Sequence, residues 1–162
     1  MKIFAFLAAA TLALISSTVA EVVRPAPEFI WEGLNGTPKT LSSLPKQTAV
    51  LIIAPSPNSG AFKDQLEELE RLYRQYAGRE ALFFAAFTQQ PGIVKSDIPF
   101  LYAQDPQAVA AHYGVNRKRF KFIVIGPDRN MDLVTSEVTN GERVRDVIDN
   151  SYIRQSVRRN RP

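Results

Sequence analysis

The chain predicts an α/β fold: a central mixed β-sheet flanked by helices, with a β-hairpin extension at its N-terminal side. Three observations carry this expectation. Residues 48–54 (TAVLIIA) and 81–87 (ALFFAAF) are continuously apolar, as strands covered on both faces must be. The segment between them has helical period, so strand, helix and strand form a βαβ unit with a right-handed crossover. Two further strand-like segments, 120–126 and 131–138, lie close enough to pair antiparallel.

The first twenty residues stand apart from this fold. Lys2 precedes an apolar stretch over 3–15, and Thr18-Val19-Ala20 places small residues where a signal peptidase cuts. The apolar run is shorter than the ~20 residues a spanning helix needs. Residues 21–162 then form one domain, large enough to bury a core without staples. The chain has no cysteine, and an exported domain of this size does not depend on disulfides. Loss of Lys2 takes the formal charge from +4 to +3. That mild excess, outside the cytoplasm, gives no reason to expect nucleic acid as a partner.

Taken in order, residues 22–27 are a proline-containing extended lead-in. Within 29–44, Asn35-Gly36 signals a hairpin turn. Asn35-Gly36-Thr37 also matches a glycosylation acceptor, but the hairpin explains the same residues. Pro55 and Pro57 end the first buried strand. A helix follows over 59–77, with Phe62, Leu66, Leu69, Tyr73 and Tyr76 on one face. Glu67–Arg71 and Glu70–Arg74 are four-apart pairs on the other face, and Gly78 closes the helix.

Residues 88–104 read as a long connection. Phe100-Leu101-Tyr102 within it is expected to pack under the loop as a satellite cluster; an exposed partner-binding patch is the alternative. Asp105 caps a short helix with Pro106 at its first position, and Gly114 ends it. Asp128 and Asp132 lie around the turn at 127–130, where aspartate serves turn chemistry. Thr139 and Glu142 form a capping box for a last helix with Val144, Val147, Ile148 and Ile153 facing inward.

These residues resemble a known group. Pro25-Ala26-Pro27-Glu28-Phe29, then Leu34-Asn35-Gly36, then Leu41-Ser42-Ser43-Leu44 are similar to the start of peroxiredoxins of the alkyl hydroperoxide reductase and thiol-specific antioxidant group, and of secreted thiol-disulfide oxidoreductases. Asp105, residues 109–115 and residues 122–128 are similar to the later part of the same domains. A closer likeness is to a bacterial thioredoxin-like family of unknown function. It rests on Tyr113-Gly114-Val115, a four-residue spacer, Phe120, the strand ending at Ile125, and an arginine-containing end to the last helix. The resemblance implies a thioredoxin-like fold.

Two departures set this chain apart. The place of the catalytic cysteine falls in Ala54-Pro55-Ser56-Pro57-Asn58-Ser59-Gly60, and the residue before the third strand, usually a cis-proline, falls in Arg117-Lys118-Arg119-Phe120. A serine hydroxyl cannot replace a thiolate in disulfide exchange, so reductase or peroxidase activity is not implied. Fold alone does not bring a function with it.

Two stretches are candidate functional residues. Ser56, Asn58 and Ser59 sit at a helix N-terminus, where free backbone N–H groups and a partial positive charge favour anions. In a thioredoxin-like arrangement Arg117, Lys118 and Arg119 lie beside that end, and the combination suits a carboxylate, sulfate or phosphate group. A plain strand-to-helix turn with Ser59 as N-cap explains the same serines. Ser56 or Ser59 as a nucleophile needs an adjacent base, and His112, the single histidine, brings no motif. No motif calls for a metal or a cofactor.

Arg154, Arg158, Arg159 and Arg161 complement a helix C-terminus, or meet an anionic envelope surface. The expectation is therefore an exported, monomeric binding or accessory protein of the cell envelope, without thiol chemistry and without a spanning segment after cleavage. Its partner is a small anionic ligand or an envelope component. The alternatives are a non-thiol enzyme using Ser56 or Ser59 with the basic loop, and an envelope-surface protein acting through the arginine-rich C-terminus.

N-terminal sequencing of exported protein is expected to begin at Glu21. Recovery of intact Met1 in the membrane fraction is the contrary result.

Overall fold

The structure, a computed structural model, describes residues 24–33 and 35–159, and of 152–159 the backbone only. The predicted leader, Leu34 of the hairpin signal, and the side chains of Ile153, Arg154, Arg158, Arg159 and Arg161 lie outside what is described. A small hairpin comes first: β1 (Ile30–Glu32) pairs antiparallel with β2 (Pro38–Thr40). Gly36 in its loop has φ 70, the left-handed conformation that the Asn-Gly signal anticipates. The main sheet comprises β3 (Ala49–Ala54), β4 (Leu82–Phe87), β5 (Phe100–Tyr102), β6 (Lys121–Ile125) and β7 (Met131–Thr135). Their spatial order is β5-β4-β3-β6-β7, with β3, β4 and β5 mutually parallel and β6 and β7 antiparallel additions.

The helices are α1 (Gly60–Arg71), α2 (Tyr73–Ala77), α3 (Pro106–His112) and α4 (Gly141–Arg159). Among the described residues no helix is long and apolar enough to cross a membrane. Strand alternation divides the core in two. Val50, Ile52, Ala54, Phe83, Ala85 and Phe87 face one way and pack with Phe62, Leu69 and Tyr76 of α1–α2 and Val144 and Ile148 of α4. Ala49, Leu51, Ile53, Phe84 and Ala86 face the other way, onto Val109 and Ala110 of α3 and onto Phe29, Trp31 and Leu41 of the N-terminal part. Trp31 and Phe84 meet edge to face with ring centroids 4.9 Å apart, which fastens the hairpin to the sheet.

Several local expectations are corrected. Residues 59–77 do not form one helix. The backbone breaks at Leu72 (φ −118°, ψ 12°), although nothing local stops a helix there. The break coincides with the close approach of α4: a Cβ added at Gly141 would lie 2.6 Å from the Glu68 carbonyl and 3.0 Å from Leu72 Cδ1. Gly78 does cap the C-terminus of α2, in the right-handed region (φ −65°), and Glu80 takes a positive φ two residues on. The Glu67–Arg71 and Glu70–Arg74 pairs do not form. Arg71 bridges Glu68 and Glu142, and Glu70 accepts from the Ser96 hydroxyl. Reaching across to α4 adds a second carboxylate that a pair on one helix lacks.

The Thr139–Glu142 capping box is absent as well. Asn140 Oδ1 accepts from the Arg143 N–H and so caps α4, while the Thr139 backbone is held by Gln65. Phe100-Leu101-Tyr102 is neither a loop cluster nor an exposed patch. It is edge strand β5, in register with Phe83, Phe84 and Ala85, and its half-buried aromatic rings join the core. The segment β7 stops at Thr135, whose hydroxyl accepts from the Glu137 N–H and turns the chain.

The α1–α4 junction is polar and specific. Gln65, fully buried, donates from Nε2 to the Thr139 carbonyl (2.9 Å) and accepts the Thr139 N–H at Oε1 (2.8 Å). The Tyr76 hydroxyl donates to the Gly141 carbonyl (2.7 Å), and Glu68 accepts the Gly141 N–H (2.8 Å). By contrast, the Thr48 hydroxyl is buried with no hydrogen-bond partner among the described residues. Gln65→Leu is expected to lower stability by about 2–4 kcal/mol, because two backbone groups lose their partner. Thr48→Val is expected to raise it by about 1 kcal/mol, because the orphaned hydroxyl disappears. Urea unfolding of both variants checks the opposite signs.

Hydrogen bonding to Arg71 holds the Glu68 and Glu142 carboxyls below the ordinary carboxylate value, Glu142 at about 2. A carboxylate whose pKa is depressed on folding stabilises the fold above its unfolded value of 4.5, and that contribution is lost as pH falls towards 2. Solvent reaches this site, so the effect is modest. Glu142→Gln is expected to lower Tm slightly at neutral pH and to flatten the acid limb of Tm against pH.

Candidate functional site

The strand β3 ends at Ala54, and two prolines prevent its continuation. The turn that follows closes on itself. Ser56 is buried; its hydroxyl accepts the Asn58 N–H (3.2 Å), and its carbonyl accepts both the N–H and the hydroxyl of Ser59 (3.2 and 2.9 Å). Ser59 occupies the N-cap position of α1, but its side chain does not cap. The expected Ser59 cap is therefore corrected: the hydroxyl turns back to the Ser56 carbonyl. The first turn of α1 carries no acidic residue, and Asn58 and Gly60 are exposed beside it.

Thr88 links this turn to the basic loop. Its N–H donates to the Ala54 carbonyl (3.0 Å), and its hydroxyl donates to the Arg117 carbonyl (2.6 Å). Asn116 organises the loop, accepting the Arg119 N–H at its carbonyl (2.8 Å) and the Lys118 N–H at Oδ1 (3.0 Å). Buried Phe120 anchors its far end. Arg117, Lys118 and Arg119 are exposed and form no salt bridge among the described residues. The structure thus brings the backbone of Arg117 to the end of β3, the strand from which the Ser56–Ser59 turn departs.

Residues 89–92 border the turn on its other side. Gln89 and Gln90 both donate to the Pro55 carbonyl (3.0 Å each), and a Cβ on Gly92 would meet Pro57 Cγ at 2.7 Å. A small apolar cleft of about 240 Å³ opens there, lined by Phe87, Pro91, Ile93 and Tyr102 among others. Neither Thr88 nor Gly92 stood out in the sequence. A polar residue directly after a buried strand was the available signal for Thr88; for Gly92 it was the Pro-Gly pair.

His112 does not join the serines. It lies exposed at the end of α3, which packs on the opposite face of the sheet from α1, so a serine–histidine pair is not formed. Asp128 acts as expected in its turn, accepting the Asn130 N–H (3.2 Å) and side-chain amide (3.0 Å). Asp132 accepts the Ser151 hydroxyl of α4.

Comparison with known proteins bears out the fold. A family described as a domain of unknown function (DUF4174) matches residues 42–156. No curated protein matches the chain. Yeast mitochondrial 1-Cys peroxiredoxin is similar in structure, with TM-score 0.65 and 16% identity over 85% of this chain and 78% of that one. Peroxidoxin BcpB from Mycobacterium tuberculosis has TM-score 0.56 and 18% identity, over 81% and 96%. AhpC from the same organism has TM-score 0.59 and 14% identity, over 79% and 95%. At such identities the likeness is one of fold: a thioredoxin-like, peroxiredoxin-like sheet, here in a chain without cysteine.

Proposed function

We propose that this chain, which belongs to the DUF4174 family, is an exported binding module that holds a small anion where its structural relatives would carry thiol chemistry. Two observations support the reading: α1 begins without a side-chain cap, and the loop with three exposed cations is tied by its Arg117 carbonyl, through Thr88, to the Ala54 end of β3. Backbone N–H groups and the helix dipole favour negative charge at that end. A surface dipole contributes only about 0.3–1 kcal/mol, so α1 alone binds weakly. Charge-assisted hydrogen bonds from arginine add about 1.5–3 kcal/mol each. Two of them with the helix end amount to roughly millimolar affinity, before the ordering of side chains is subtracted.

The absence of cysteine removes the thiolate on which disulfide exchange and peroxide reduction depend. His112 sits across the sheet and so is not a base for Ser56 or Ser59, which leaves the serine-enzyme alternative resting on the basic loop. The leader-like first twenty residues support a location outside the cytoplasm, in the envelope or beyond.

Titration of the mature protein with sulfate, phosphate and acetate, followed by amide NMR, tests the site. The amides of residues 58–61 and 117–120 are expected to shift together, and Arg117→Ser with Arg119→Ser to weaken binding at least about tenfold without unfolding. Shifts that survive the double replacement, or that appear elsewhere, overturn the assignment.

A further inference from the structure

Across the sheet from the α1 turn, the N-terminal hairpin and α3 leave a groove of about 500 Å³. That volume lies in the range of small-molecule sites. Its walls are largely apolar: Phe29 and Val109 lie buried beneath it, Ala108 is half-buried, and Ile30 stands 46% exposed. The two walls are joined by the Gln104 N–H, which donates to the Ile30 carbonyl (2.9 Å). The groove is therefore a formed feature of the fold.

Its rim carries negative charge. Glu28 and Asp105 both line it, with His112 and Ser42 between the apolar surfaces. Each carboxylate has one oxygen engaged by backbone: Glu28 Oε2 accepts the Ser42 N–H (3.1 Å), and Asp105 Oδ1 accepts the Ala108 N–H (2.9 Å). Neither forms a salt bridge among the described residues. Arg129 lies close enough to interact electrostatically with Glu28, but its guanidinium donates to the Leu44 and Gln47 carbonyls. Apolar walls alone would accept any greasy molecule. Two carboxylates at the rim favour a positive headgroup and repel a negative one.

We propose that this groove binds a small amphipathic organic cation, an amine on an apolar body, with the ammonium against Glu28 and Asp105 and the body over Phe29, Ile30 and Val109. Ammonium donates three hydrogen bonds and matches carboxylate oxygens that retain lone pairs. The groove and the anion site lie on opposite faces, so each proposal stands or falls separately.

The test uses three probes with one body: 2-phenylethylamine, 2-phenylethanol and phenylacetate. The single tryptophan, Trp31, packs against Phe29 (ring centroids 5.8 Å) and reports occupancy by fluorescence. Amide NMR at Ile30, Ala108 and Val109 locates it. The amine is expected to bind at least about tenfold more tightly than the alcohol, and phenylacetate more weakly than both. Glu28→Gln with Asp105→Asn keeps both acceptors for the backbone N–H groups, and should reduce the amine to the affinity of the alcohol without changing the alcohol. Ala108→Phe should fill the groove and abolish both. Equal binding of amine and alcohol, amine binding that survives either change, or shifts confined to other surfaces overturns the proposal. If the double variant does not fold, the probe ranking on the unaltered protein together with Ala108→Phe decides it.

Discussion

Everything in this molecule is arranged around the burial of β3. Its six residues have no exposed surface, although they point alternately to opposite faces. A strand apolar on both faces cannot rest against water on either, so helices must cover both. The α1–α2–α4 layer covers one face, and α3 with the hairpin covers the other. Burial of each large aliphatic side chain contributes about 1.5–3 kcal/mol, so β3 is costly to leave unpaired. Its neighbours follow: β4 parallel on one side, β6 antiparallel on the other.

The same burial limits where polar groups gather. With both faces filled, polar groups of functional use are confined to strand ends, loops and helix surfaces. The C-terminal end of β3 is one such place. There the Ala54 carbonyl accepts the Thr88 N–H, the Thr88 hydroxyl donates to the Arg117 carbonyl, and the Ser56–Ser59 turn leads into α1. The groove between α3 and the hairpin is another. The sheet shares its fold with peroxiredoxin structures, in a chain without cysteine.

The coverage of the first face depends on polar contacts more than the apolar count suggests. Val144, Val147 and Ile148 give α4 an inner stripe. Its axial position is set instead by Gln65 on Thr139, by Glu68 and Tyr76 on Gly141, and by Arg71 on Glu142. Arg79 adds a paired contact to Asp149 one layer further along. Apolar surfaces slide with little penalty, whereas directed hydrogen bonds to backbone do not. Gly141 is small because the Glu68 carbonyl, the Leu72 side chain and the Tyr76 hydroxyl occupy the space a side chain would need.

What the sequence determined by itself is what depends on near neighbours. Continuous apolar runs located β3 and β4, Asn35-Gly36 located the hairpin, and Asp105-Pro106 with Gly114 bounded α3. The absence of cysteine leaves the chain no thiol, whatever its geometry. What tertiary structure decided depends on partners distant in the chain. The Gln65–Thr139 clamp spans 74 residues, Tyr76–Gly141 spans 65 and Thr88–Arg117 spans 29. The break at Leu72, the replacement of Thr139 by Asn140 as the cap of α4, and the recruitment of Phe100–Tyr102 as an edge strand all arise from such partners. Periodicity and turn chemistry are local, and a hydrogen bond to a backbone group far along the chain leaves no periodic trace at either end.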